Sequence, residues 1–120
     1  MQRIIFILAL VPLPALAESY SCPTAGYCTN ALECAPDTAV MSLEIAKSGV
    51  ATFGWVDTGA RFTATAIQLA GMRVFYAQND GTSIQTLVLA ETGQATFSVS
   101  AFTDGLGLYT SIQSLTCEKV

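Results

Sequence analysis

The residues in this chain whose types and spacing could do chemistry are its four cysteines and a few carboxylates, because it contains no histidine. Histidine-based triads, most zinc hydrolase sites and imidazole proton shuttles are therefore excluded. The serines form neither a Gly-x-Ser-x-Gly elbow nor a Ser-x-x-Lys motif, and no glycine-rich phosphate loop opens a helix. Asp57, Asp80 and Asp104 each fall in a glycine-containing turn: Asp57-Thr58-Gly59, Asn79-Asp80-Gly81 and Thr103-Asp104-Gly105. Aspartate in such a turn bonds its own backbone. A pair of catalytic carboxylates must instead face each other across a cleft. Asn79-Asp80-Gly81 lacks the acidic repeat and terminal glutamate of a calcium loop. No catalytic residue, metal site or cofactor is expected, and the chain reads as a non-enzyme.

Cys22, Cys28, Cys34 and Cys117 do not have zinc spacing, so they read as two disulfides in an oxidising compartment. Export is expected from the start of the chain. Met1-Gln2-Arg3 is cationic, Ile4 to Val11 is apolar and Ala15-Leu16-Ala17 is a small-residue cleavage site, so residues 1–17 read as a signal peptide. The run is too short to span a bilayer, which takes roughly 20 apolar residues, and Pro12 and Pro14 interrupt it. A periplasmic or secreted protein follows. Losing Arg3 takes the formal net charge from −4 to −5 and leaves only Lys47, Arg61, Arg73 and Lys119 as cations. Nucleic acids and anionic lipids need clustered positive charge and are not expected partners.

The elements that must position these residues are set by an internal repeat. TAVMSLEIAKSGVATF (38–53) and TSIQTLVLAETGQATF (82–97) match at Thr38/Thr82, Leu43/Leu87, Ala46/Ala90, Gly49/Gly93 and Ala-Thr-Phe 51–53/95–97. Each copy holds two alternating runs around a glycine, the pattern of a β-hairpin. A three-residue loop with that glycine in the left-handed position places Leu43 opposite Phe53 and Met41 opposite Trp55. In the second copy it places Leu89 opposite Ala95 and Leu87 opposite Phe97.

A third strand runs over 61–69, with a bulge or change of sheet near Ala66 accounting for its switch of apolar face. A spare strand lies at 72–78, and the second copy ends in a strand over 106–116. The fold expected is all-β: an antiparallel meander of about seven strands from a duplicated three-stranded unit, closed or nearly closed into a barrel, with a two-sheet sandwich as the alternative. Residues 18–37 read as an irregular, cysteine-rich lead-in with a brief helical turn near Thr29 to Glu33. The β-domain occupies 38–120, with the copies at 38–70 and 82–115. In a seven-strand meander Cys34 and Cys117 lie at opposite ends, which favours Cys22–Cys117 with Cys28–Cys34.

The spare strand carries Arg73, Phe75 and Tyr76, a composition suited to a binding surface. Alternation puts Arg73 and Phe75 on one face and Met72, Val74 and Tyr76 on the other. The competing and favoured reading has Met72, Val74 and Tyr76 filling the core with Arg73 solvated. An outer-membrane barrel is not expected, because such barrels need an even strand count and outward apolar bands, whereas about seven strands are expected here and the outward positions read as Thr, Ser and Gln.

The function expected is an exported, monomeric, non-enzymatic β-domain that binds an envelope or extracellular macromolecule, an unknown protein or envelope component, inhibition of a secreted enzyme included. A carrier of small apolar ligands is the alternative, and a carboxylate-dependent hydrolase is a remoter one. Size and terminal cysteines are loosely similar to small periplasmic lysozyme inhibitors. No motif is shared, and nothing of that family is carried over.

Overall fold

A computed structural model describes residues 16–29, 33–79, 81–105 and 107–120. Most of the expected signal peptide and the core of the expected helical turn lie outside the described residues. Ten strands follow in order: β1 (Leu16–Thr29), β2 (Cys34–Ala35), β3 (Val40–Ala46), β4 (Ala51–Trp55), β5 (Arg61–Leu69), β6 (Met72–Asn79), β7 (Ser83–Ala90), β8 (Gln94–Thr103), β9 (Gly107–Thr116) and β10 (Glu118–Lys119). Neighbours pair antiparallel from β1 through β3 to β9, and β9 returns to β1. The result is a closed eight-stranded barrel, with β2 and β10 added to β1.

The lead-in expected to be irregular is corrected here, since most of it is strand β1. Cys22 and Thr24 alternate with exposed Ser21, Pro23 and Ala25, a period of two that the prolines and cysteines obscure. This strand supplies the eighth stave. An even count lets the first and last staves meet antiparallel, which seven could not do. Strand β1 pairs with β3 along Glu18–Pro23, then with β9 from Thr24 onward. Strand β5 does the same at the opposite corner. It pairs with β4 over Arg61–Ala64 and with β6 over Thr65–Leu69. The expected change of sheet is therefore present, close to Ala66.

Both hairpins have the register that their turns require. Leu43 faces Phe53 and Met41 faces Trp55, while Leu87 faces Phe97 and Leu89 faces Ala95. Gly49 and Gly93 have φ of 95° and 97°, where a side chain at Cβ is strained. The copies share one interior. Leu43, Leu87 and Phe53 are fully buried and Phe97 is 2% exposed. The two repeat phenylalanines touch edge to face at 5.9 Å, and Trp55 meets Phe97 at 5.4 Å. Such contacts add to the area that each ring buries. Cys22–Cys117 and Cys28–Cys34 are the disulfides. The first ties the opening strand to the closing one across 95 residues.

Candidate functional site

Strand β6 decides where the expected binding residues go, and it reverses the favoured reading. Phe75 and Ala77 point into the barrel and are buried. Arg73 shares their face, so it too points inward, at the mouth where β6 begins. Met72, Val74 and Tyr76 point outward, with Met72 and Tyr76 more than a third exposed. Arg73 and Phe75 thus sit together, while Tyr76 lies on the opposite side of the sheet.

An inward arginine needs a partner, and β1 provides it. Its inward positions at this mouth are Glu18 and Tyr20, placed opposite Ile45 and Leu43 of β3. Arg73 grips the Glu18 carboxylate with both ends of its guanidinium, Nη1 to Oε2 at 3.0 Å and Nη2 to Oε1 at 2.9 Å. Nη2 also donates to the Tyr20 hydroxyl at 3.0 Å, and that hydroxyl donates to Glu18 Oε1. The guanidinium carbon lies 5.9 Å from the Tyr20 ring centre and 5.8 Å from that of Phe75, a cation–π arrangement. Lys119 on β10 closes the group, with Nζ 3.9 Å from Glu18 Oε1.

The electrostatics follow from this geometry. Arg73's hydrogen bonds, with that of Tyr20, hold the Glu18 carboxyl down at about 2. Burial, then the Glu18 carboxylate, pushes the Tyr20 phenol up. The same carboxylate raises Arg73 further. The ionised pair with a neutral phenol is the state held at neutral pH. Each of Glu18, Tyr20 and Arg73 is pushed away from neutrality, where a general acid or base would need to be poised. Beside it lies a cavity of about 280 Å³, whose lining includes Arg73, Tyr20, Gln68, Met72, Glu91 and Lys119.

No protein family, curated protein or solved structure matches this chain.

The outside of β5, β6 and β7 carries the feature that the sequence reading missed. Register places Leu69 beside Met72 and Ala90, Ile67 beside Val74 and Val88, and Thr65 beside Tyr76 and Thr86. Ile67 is 44% exposed and Leu69 43%. The outward positions of β5–β7 are therefore largely apolar, a correction to the expected Thr, Ser and Gln. That expectation does describe β3, β4 and much of β8, whose outward residues include Ser42, Glu44, Thr52, Thr96, Ser98 and Ser100, while β8 and β9 also expose Phe102, Leu108 and Ile112. The signal in the sequence was the absence of charge from the second half of β5: Thr65-Ala66-Ile67-Gln68-Leu69 carries none. Among the described residues, Asp57 and Asp104 lie exposed in separate turns, and no group of three potential metal ligands forms. Asp80 lies outside the described residues.

Proposed function

We propose that this is an exported, non-enzymatic binding protein that docks another exported protein against the outer face of β5–β7. The observation that carries the reading is the contiguous strip of Ile67, Leu69, Met72, Val74, Tyr76 and Val88 on the outward side of three adjacent strands. Contiguous exposed apolar patches on soluble domains mark interaction surfaces. A membrane barrel needs an apolar band around its whole circumference, whereas outward Ser42, Glu44 and Thr52 interrupt any such band here.

Charge narrows the partner. A chain of formal charge −4, or −5 without residues 1–17, repels anionic lipid and a second copy of itself. It favours a basic protein, and inhibition of a basic secreted enzyme falls within that class. A carrier of small apolar ligands has less support, because Phe53, Phe75, Met41, Leu43 and Leu87 fill the interior. A flat Trp55 fluorescence titration with fatty acids and retinoids is the result expected.

Two features agree with export. Disulfides suit an oxidising compartment, and regular pairing with β3 begins at Glu18, after a register shift between Leu16 and Glu18. A chain cut after Ala17 keeps every pair from Glu18 onward, so mass spectrometry of the exported protein should find Glu18 first.

Pull-down from an envelope fraction tests the docking face. Ile67→Thr/Met72→Thr/Tyr76→Thr should abolish capture, with the fold checked by circular dichroism. Ser42→Thr, on the outward face of β3 and away from the strip, should leave capture intact. Capture that survives the triple substitution removes this surface from the account.

A further inference from the structure

One edge of β5 is left without a strand. Strand β4 pairs with β5 only as far as Ala64, opposite Ala51, and then turns away through residues 47–50 toward β3. From Thr65 to Leu69, β5 is paired on its β6 side, and among the described residues no strand pairs with its other side. All five residues are exposed.

The register shows which backbone groups face that gap. Strands β5 and β6 are joined by Ala70-Gly71, with Leu69 opposite Met72. The pair that closes a two-residue hairpin exchanges both of its hydrogen bonds, and bonding alternates from there. Leu69, Ile67 and Thr65 are therefore bonded to β6, while Ala66 and Gln68 aim N–H and C=O at the open side. This is the side on which Phe62 and Ala64 face β4.

Exposed edges are normally protected by lysine, proline, a bulge or a covering segment. Ala64 to Ala70 contains neither a charge nor a proline. By contrast, the short strand β10 at the opposite corner carries Glu118 and Lys119. The open edge also borders the apolar strip, since Ile67 and Leu69 belong to both.

We propose that β5 accepts an extended segment of the basic partner as an added strand, bonded through the main chain of Ala66 and Gln68. This rests on the reading of β5–β7 as a protein-binding face. Strand addition draws affinity from backbone bonds and specificity from alternate side chains. Here the outward side chains of the added strand would lie beside Ile67 and Leu69. Its inward ones would approach the mouth, where Gln68 lines the cavity with Arg73 and Lys119.

The test uses a synthetic peptide, Lys-Val-Thr-Val-Thr-Val-Lys, whose valines and threonines favour an extended strand and whose lysines complement the protein's charge. Binding is read by fluorescence anisotropy against the full folded protein. Ala66→Pro removes an N–H that β6 does not use and is tolerated at an edge. It should weaken binding by about tenfold or more. Gln68→Lys, which leaves the backbone untouched, should weaken binding through edge charge should the proline variant misfold. A peptide N-methylated at alternate residues on its pairing edge should not bind. Equal affinity for the Ala66→Pro and Gln68→Lys variants, equal affinity of the methylated peptide, or no binding up to about 1 mM would overturn strand addition. If the envelope partner is still lost with Ile67→Thr/Met72→Thr/Tyr76→Thr in that event, the face remains and only the added strand falls. A partner indifferent to both sets of variants removes both.

Discussion

Arg73 shows how one residue can be assigned to the wrong side of a sheet for a physical reason. On β6 the choice lay between Met72, Val74 and Tyr76 inside, or Arg73, Phe75 and Ala77 inside. Apolar count favours the first set. The second wins because the arginine lies at a barrel end, three-quarters buried, and Glu18 neutralises it with a two-pronged bond. That partner came from a stretch that looked irregular, so the pair was not legible from β6 alone.

The pair makes a pH prediction. Glu18 titrates at about 2 when folded, against 4.5 for the free group. A depressed carboxyl contributes stability that is complete above the unfolded value and is lost as pH falls through the folded one. Glu18→Gln should therefore cost about 1–2 kcal/mol at neutral pH. The difference from the parent protein should shrink below pH 4.5 and vanish near pH 2. Urea melts across that range measure it, and a pH-independent difference would show that the ion pair contributes nothing.

At the scale of elements, the two hairpins were the most legible part of the chain, because turn chemistry and core alternation independently required one register. A third strand and its change of sheet could also be read. What could not be read was β1, whose two halves pair with different neighbours and break register between Thr24 and Gly26. The openness of the β5 edge depends on where β4 stops, a tertiary fact that no local pattern encodes.

The repeat also sets up a controlled comparison between turns. Gly49 and Gly93 have matching φ, but a Cβ at Gly49 would meet open space, whereas one at Gly93 would lie 2.8 Å from the Cys117 carbonyl oxygen. That carbonyl belongs to the bend that seats β10, and the Cys117 amide bonds Gly93 O at 2.7 Å. Gly49→Ala should cost about 1 kcal/mol for the backbone strain alone. Gly93→Ala should cost more, since backbone must move as well. Equal losses in denaturant midpoint would contradict the close packing of these two segments.

For the molecule as a whole, the fold class and the cystine pairing followed from repeat, parity and composition, and the eight-stave closure explains why the chain needs its first strand. The Cys22–Cys117 bridge holds that strand against the last, so its removal should act on the whole barrel. Cys22→Ser/Cys117→Ser should cost roughly 3–5 kcal/mol, within the range for a bridge closing so long a loop. Cys28→Ser/Cys34→Ser, closing a separation of only 6 residues, should cost less. Thermal unfolding of the two double variants ranks them, and the reverse order would mean that the barrel closes without its cystine.

Binding at β5 depends on its neutral edge from Thr65 to Leu69 being open on the side away from β6. Residue-resolved amide hydrogen exchange on the free protein tests this most directly. Thr65, Ile67 and Leu69 should exchange slowly, bonded to β6, while Ala66 and Gln68 between them exchange at close to the rate of an unfolded chain. Five amides protected alike would mean that the edge is already covered, and the binding surface proposed for β5 would be lost with it.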